Sequence, residues 1–157
     1  MLFRSPAAAA VHLNEDGSIR VFVGAINLTG TSTGFAQIAA EELHVPIDRV
    51  QVVLGDTDEA PPSPVSGGSQ ITYAVGTAVR RGCQALMQQM KEVAADRLKV
   101  EPDDLEASDG VLQSKSDSEK QIDYALVAST AIAAGGPLVA TGSKPGLPTA
   151  PDRKSVV

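Results

Sequence analysis

The feature of this chain that most constrains its fold is a regular spacing of apolar residues between Thr72 and Leu98. Apolar side chains recur there every three or four positions, at Val75, Val79, Cys83, Leu86, Met87, Met90, Val93, Ala94 and Leu98. This spacing places them along one face of an α-helix. At about 1.5 Å of rise per residue, the helix would be roughly 40 Å long. The sequence therefore predicts one long amphipathic helix whose apolar face is buried.

The first part of the chain predicts a β-hairpin. Residues 8–13 and 19–25 have the alternating or apolar pattern of strands, and the Asp16-Gly17 step between them is typical of a tight hairpin turn. A short helix is expected next, ended by Pro46 and followed by a short buried strand at residues 50–54. The apolar positions of that helix are Phe35, Ile38, Ala39 and Leu43.

The last third of the chain predicts a second small α+β unit. Asp109-Gly110 separates two short strand patterns at residues 105–107 and 111–113, which is a second hairpin signal. Asp123 is a suitable N-cap for a helix that Gly135-Gly136-Pro137 would end, and residues 138–141 begin another strand. The expected fold class is α+β: two β-hairpin or strand units packed with a short helix, a long amphipathic helix and a short C-terminal helix.

Composition limits the classes of function. The 157 residues suit one modest domain, and 13 basic against 19 acidic residues give a net charge of −6 with no basic cluster. This balance argues against a nucleic-acid partner. No apolar run is long enough to span a bilayer. A single cysteine excludes an internal disulfide and a cysteine-based zinc cluster, and we expect a cytoplasmic protein.

Two turns rich in glycine and hydroxyl groups each precede a helical pattern. The first is the run from Leu28 to Gln37, LTGTSTGFAQ, and the second begins at Ser66 with SGGSQ. Backbone N–H groups at a helix start have no partner within the helix and can bind an anion such as phosphate. A Walker A loop is excluded because no lysine follows the glycines. From the residues alone, anion binding and ordinary helix capping both remain open.

Four blocks of sequence, in order and spacing, resemble the molybdopterin-binding large subunit of the xanthine dehydrogenase and aldehyde oxidase family. The blocks are residues 24–42, residues 50–64 with Gly55-Asp56-Thr57, the turn Ser66-Gly67-Gly68-Ser69, and Gly76-Thr77-Ala78-Val79. The resemblance covers residues 8 to about 151. It implies that residues 6–151 are part of a molybdopterin-binding domain, from the second half of the molybdenum-binding region.

The resemblance also implies a set of cofactor-binding residues. Thr29 stands at the glutamine of the family's Gly-Gln-Gly turn, Gly30 at its second glycine and Thr33 at the following threonine. The change from glutamine to Thr29 departs from the commonest family pattern. Gly67 and Gly68 would let backbone approach the cofactor closely. The full implied set is Thr29, Gly30, Thr33, Ser66, Gly67, Gly68, Ser69, Gln70 and Thr72, with Gln37 as a further candidate for a supporting hydrogen bond.

The resemblance implies that the full enzyme hydroxylates an aldehyde or an N-heterocycle, using an oxygen atom derived from water. The cofactor would be molybdenum held by molybdopterin, alone or as its cytosine dinucleotide. Iron–sulfur and FAD centres would lie in partner domains or subunits, and the remainder of the molybdopterin-binding subunit would be a further partner. The family's catalytic glutamate lies in a Gly-x-Gly-Glu turn that this chain lacks. We therefore expect no catalytic residue here and no activity from this segment alone.

Several other polar or reactive residues have ordinary structural explanations. Asp56, Asp58 and Glu59 fit a solvated acidic loop better than a calcium loop. His12 and His44 have no partner at catalytic spacing, and Cys83 is expected to be a buried small apolar side chain. Residues 1–5 and 152–157 resemble the two translated orientations of a sequencing adapter, so we expect them to be non-native. The alternative function is a complete small α+β binding or scaffold module without catalysis.

Overall fold

A computed structural model describes residues 6–27, 30–55, 60–64, 66 and 70–146. Its strands and helices, in chain order, are β1 Ala7–Leu13, β2 Ile19–Val23, α1 Thr31–Leu43, β3 Val50–Leu54, α2 Gln70–Leu98, β4 Leu105–Ser108, β5 Val111–Ser114, β6 Gln121–Asp123, α3 Tyr124–Ala134 and β7 Val139–Lys144. Single 3-10 turns at Ile47–Arg49 and Pro102–Asp104 precede β3 and β4. The α+β class and the long helix expected from the sequence are confirmed.

The main sheet has four strands in the order β3-β2-β1-β7. β1 is antiparallel to both β2 and β7, whereas β2 and β3 are parallel and are connected through α1. Alternate residues of β1 and β2 are buried, including Val11 and Val21 at 0% exposure. This two-residue period is that of a sheet covered on one face, and α1 and α2 pack against the covered face.

The first hairpin is confirmed, but the expected burial of the strand at residues 50–54 is wrong. Its residues are half-buried or exposed, because β3 is the edge strand of the sheet and pairs only with β2. An edge strand has neighbours on one side alone, so its side chains gain less cover than those of a central strand. The apolar run correctly predicts a strand, but it does not predict how deeply the side chains of that strand are buried.

The expected second unit is also corrected. β4, β5 and β6 form a separate three-stranded antiparallel sheet, and the Asp109-Gly110 turn has positive φ at both residues, as a tight hairpin requires. The final strand, β7, does not join this sheet. It returns to the main sheet beside β1. The last third of the chain is therefore shared between two sheets and is not an independent unit.

Two hydrogen bonds fix α3 against the rest of the fold. The Asp123 side chain accepts a 2.7 Å hydrogen bond from the backbone N–H of Leu126, which confirms the expected N-cap. The buried Tyr124 hydroxyl donates a 2.7 Å hydrogen bond to the carbonyl of Leu43, the last residue of α1. Burial raises the pKa of Tyr124 well above its usual range. This phenol therefore stays protonated, and its hydrogen bond joins the start of α3 to the C-terminal end of α1.

Stability below pH 4 should depend on Asp104. The Ser114 hydroxyl, and then the Ser116 hydroxyl at 2.7 Å, donate to the Asp104 carboxylate and lower its pKa. A carboxylate with a lowered pKa stabilises the fold above its unfolded pKa of about 3.9, and this contribution is lost as the pH falls through the folded pKa. We expect unfolding free energies measured by denaturant titration to decline below about pH 4, and Asp104→Asn to remove part of that decline. Asp103→Asn, the control at the exposed neighbour, should keep it; an identical slope in both variants would refute the assignment.

Candidate functional site

The described residues of the predicted site lie near the starts of α1 and α2. Ile38 of α1 packs against Gly76 of α2. A Cβ atom added to Gly76 would lie 3.0 Å from Ile38 Cδ1. One turn later along both helices, the Arg80 guanidinium lies 2.7 Å from the Glu42 carboxylate, and Gln84 donates to Glu42 at 3.0 Å. The paired residues advance in the same direction, so the helices run parallel. Their N-terminal ends therefore lie side by side at one end of the fold.

The N-terminus of α1 is an open turn. Gly30 is its N-cap in the left-handed conformation at φ 79°, and it makes no side-chain capping bond. A Cβ on Gly30 would meet nothing within 4 Å. The Asn27 side chain accepts from the Ser32 N–H at 3.4 Å, and the Thr31 hydroxyl donates to the Ile26 carbonyl at 3.0 Å. Asn27 and Thr31 therefore make local hydrogen bonds at the helix start, while the space beside Gly30 leaves room for a group to approach its backbone from outside.

The start of α2 carries the second group of predicted residues. Gln70 is its first residue and is half-buried, while Thr72 and Ser66 are exposed. On α1, Thr33 is exposed in the first turn. The structure thus brings Gly30 and Thr33 to the same end of the fold as Gln70 and Thr72. Thr29, Gly67, Gly68 and Ser69 lie outside the described residues, as do Asp56, Asp58 and Glu59.

A loop packs across the carboxyl ends of β2 and β3, beside these helix starts. A Cβ on Gly24 would lie 2.3 Å from the carbonyl oxygen of Pro61, and one on Gly55 would lie 2.5 Å from Ala60 Cβ. The Pro62 carbonyl accepts from the Ala8 N–H at 2.9 Å. Both glycines stand in blocks that carry the family resemblance, yet sequence reasoning gave neither a role. Their role in the structure is to let this loop lie directly on the sheet.

One residue near the site was missed by sequence reasoning. Lys144, the last residue of β7, is only 8% exposed, and its ammonium lies 5.5 Å from the centroid of the Tyr73 ring. Tyr73 belongs to the first turn of α2 and is 58% exposed. No sequence signal marks Lys144, because its burial arises from pairing between residues that are far apart in the chain.

The groove between α1 and α2 is a separate feature, about 280 Å³ in volume. The residues that line it are Ile38, Glu41, Glu42, Thr72, Tyr73, Gly76, Thr77 and Arg80. Three of its polar side chains are already engaged, since Arg80 pairs with Glu42 and the Thr77 hydroxyl donates to the Tyr73 carbonyl at 2.6 Å. Thr72 therefore borders both this groove and the start of α2.

The remaining chemical side chains have structural explanations. Cys83 is 0% exposed, and burial, with a smaller effect of Glu42, raises the pKa of its thiol to about 12. It is the buried apolar residue that the sequence predicts. His44 ends α1 in the left-handed conformation. Within the described ranges, no group of three or more His, Cys, Asp or Glu side chains could hold a metal ion.

A membrane span is not found among the described residues. None of the helices there is both long enough and apolar enough to cross a bilayer.

The geometry fits an anionic cofactor bound at the shared end of α1 and α2. Two helix N-termini carry partial positive charge, the backbone at Gly30 is open to an approaching group, and a nearly buried ammonium lies beside the first turn of α2. Glycine and hydroxyl side chains are the groups that allow backbone N–H contacts to such a ligand.

Comparison with known proteins identifies the family of this chain. Residues 1–155 match the sequence family described as "Molybdopterin cofactor-binding domain". The chain is 31% identical over 120 residues to the gamma subunit of the 6-hydroxypseudooxynicotine dehydrogenase complex of Paenarthrobacter nicotinovorans, covering 76% of this chain and 15% of that protein. It is 33% identical over 106 residues to one of the subunits of nicotinate dehydrogenase from Pseudomonas putida, covering 67% of this chain and 9% of that protein.

The fold is also shared with a solved structure. CO dehydrogenase from Oligotropha carboxidovorans superposes with a TM-score of 0.75 at 26% identity, over 90% of this chain and 18% of that chain. This chain therefore spans less than a fifth of each of these relatives. Because the family match extends over nearly the whole chain, the chain belongs to the molybdopterin cofactor-binding domains of the xanthine dehydrogenase and aldehyde oxidase family.

Proposed function

We propose that this domain forms one side of the molybdopterin site in a cytoplasmic molybdenum hydroxylase. The bound cofactor, with molybdenum and either molybdopterin alone or its cytosine dinucleotide, supplies hydroxylation of an aldehyde or N-heterocycle with an oxygen atom derived from water. The rest of the molybdopterin-binding subunit, together with partner iron–sulfur and FAD domains or subunits, completes the enzyme. The segment alone is inactive, since it carries none of the family's catalytic Gly-x-Gly-Glu turn.

The single observation that supports this proposal most is the side-by-side start of α1 and α2. The Ile38–Gly76 and Glu42–Arg80 contacts set the parallel arrangement of the two helices. Each helix start offers backbone N–H groups and the positive end of a helix dipole. Two such helix starts at the same end of the fold attract an anion more strongly than either does alone.

The chain's own residues then have defined tasks. The open turn at Gly30 gives the cofactor access to backbone N–H groups, and Thr33 offers a hydroxyl in the first turn of the same helix. Gln70 and Ser66 border the cofactor at the start of α2. We propose that Thr29, Gly67, Gly68 and Ser69 contact it as well. The loop that packs on Gly24 and Gly55 covers part of the same end of the sheet.

A charge substitution tests this assignment. Thr33→Glu places a carboxylate in the first turn of α1, where the helix dipole favours a negative charge, so the fold should be kept. The same carboxylate should repel an anionic cofactor. Elemental analysis should find about one molybdenum atom in each wild-type protomer, and about tenfold less in Thr33→Glu after desalting, as about 1.4 kcal/mol of lost binding would give.

The matched control is Gln121→Glu, which makes the same charge change at an exposed position on the small sheet. Its molybdenum content should equal that of the wild type. Equal molybdenum in Thr33→Glu and Gln121→Glu would mean that the α1 turn is not at the cofactor. Wild-type holoenzyme purified without molybdenum would contradict the proposed function itself.

A further inference from the structure

The edge strand β3 leaves backbone groups unpaired within the described part of the chain. The Gly55 N–H donates to the Val23 carbonyl of β2 at 3.0 Å. Because backbone groups along a strand alternate in direction, this bond and the parallel register turn the N–H and C=O groups of Val52 and Leu54 away from β2. No strand among the described residues lies on that side of β3. These backbone donors and acceptors therefore form an open edge.

The opposite edge of the main sheet is partly covered. Arg81 of α2 donates from Nη1 to the Ser143 carbonyl of β7 at 2.7 Å. β3, by contrast, reads Val-Gln-Val-Val-Leu in unbroken register with β2, without the charged side chain, proline or bulge that protects natural edge strands. Large apolar side chains at or near its ends are exposed, Ile47 at 46% and Leu54 at 39%. This edge has the composition of a strand that pairs on both sides.

We infer that a strand from the remainder of the molybdopterin-binding subunit pairs with β3 and extends the main sheet. The inference rests on the proposed function. The choice of occupant follows from length, because this chain spans 15% and 9% of the two subunits to which it is similar. Most of such a subunit therefore lies outside the matched region and can supply a strand. The strands of the described residues are already placed in the two sheets.

The register specifies the chemistry of the added strand. Val52 pairs with the fully buried Val21, so its side chain lies on the sheet face that the helices cover. Gln51 lies on the other face, where Arg20 Nε donates to the Gln51 side-chain oxygen at 3.3 Å. A strand beside β3 should therefore alternate, with apolar side chains next to Val52 and polar side chains next to Gln51.

Amide hydrogen exchange in the complete wild-type subunit tests the inference. Exchange is followed at single residues by mass spectrometry, and molybdenum is measured on the same sample. The Val53 N–H is the internal reference, since the register directs it toward β2. We expect the Val52 and Leu54 amides to exchange within about tenfold of the Val53 rate, as bonded amides of a central strand do. Exchange more than about tenfold faster than at Val53 would overturn the inference.

Photo-cross-linking in the complete subunit identifies the occupant. Gln51→p-benzoylphenylalanine places a photo-reactive group at an exposed position of β3, and Gln121→p-benzoylphenylalanine is the control at an exposed position of the small sheet. The Gln51 variant should cross-link to a segment of the same polypeptide outside residues 1–157, and the control should not reach that segment.

A cross-link from the Gln51 variant to a second copy or to another subunit overturns the inference, as does the same yield at both positions. The proposed function fails separately. Fast exchange at β3 in a subunit that retains molybdenum overturns the inference alone, whereas a complete wild-type subunit without molybdenum contradicts the proposed function whatever the exchange rate of β3.

Discussion

Gly142→Ala should unfold this domain or destabilise it by about 3 kcal/mol or more. A Cβ at Gly142 would lie 2.0 Å from the Ala78 carbonyl oxygen and 2.3 Å from the Gly82 backbone nitrogen. Both of these atoms belong to the backbone of α2, so no side-chain rotation relieves the clash. β7 and α2 would have to separate, and the contact between them holds the long helix on the sheet. Urea titration followed by circular dichroism measures the loss.

Gly34→Ala is the matched control for this substitution. Gly34 lies in α1, and a Cβ there would meet nothing within 4 Å. Replacing a helical glycine by alanine stabilises a protein by roughly 0.5–1 kcal/mol. The same chemical change should therefore have opposite effects at the two positions. Equal stabilities of Gly142→Ala and Gly34→Ala would mean that β7 does not lie on α2 at the distance described.

Phe35→Ala should cost about 3–5 kcal/mol of unfolding free energy. Phe35 is 0% exposed and is the first core residue of α1, in the turn that follows Gly30. Its removal leaves a cavity beneath the start of the helix, which the surrounding sheet and α2 can fill only in part. Because this packing also sets the position of the Gly30 turn, we expect the variant to bind less cofactor than the wild type.

Gln37→Ala separates this packing effect from a general effect on α1. Gln37 is exposed two residues further along the same helix, so its substitution should change the unfolding free energy by less than about 0.5 kcal/mol. Denaturant titration of both variants gives the comparison. If Phe35→Ala costs no more than Gln37→Ala, Phe35 does not anchor α1 in the core.

The elements with a clear period could be predicted from the sequence. The three- to four-residue spacing along α2 and the alternation in β1 each predict that one face of the element is buried. In the structure, those faces are buried. The sequence also predicts the N-cap at Asp123 and the hairpin turn at Asp109-Gly110, because helix caps and hairpin turns depend on residues that are close in sequence. β6 was missed, since a strand of 3 residues carries no measurable period.

Properties that depend on distant pairing could not be predicted in this way. Residues 50–54 were expected to be buried, but their depth depends on β3 being the edge of the sheet. The return of β7 to β1, and with it the burial of Lys144, requires a register between residues at opposite ends of the chain. The family resemblance predicts a set of cofactor-binding residues, but it does not distinguish Gly24 or Gly55, whose close contacts with Pro61 and Ala60 arise only in the folded chain.

The most direct test of the central proposal is to locate the metal itself. Crystals of the complete subunit that carries this domain would be measured at the molybdenum absorption edge, and an anomalous difference map would be calculated. The cofactor assignment predicts a molybdenum peak at the end of the fold where α1 and α2 begin, near Gly30 and Gln70. A fully occupied molybdenum peak away from that end, or a well-ordered domain with no molybdenum in the subunit, would contradict it.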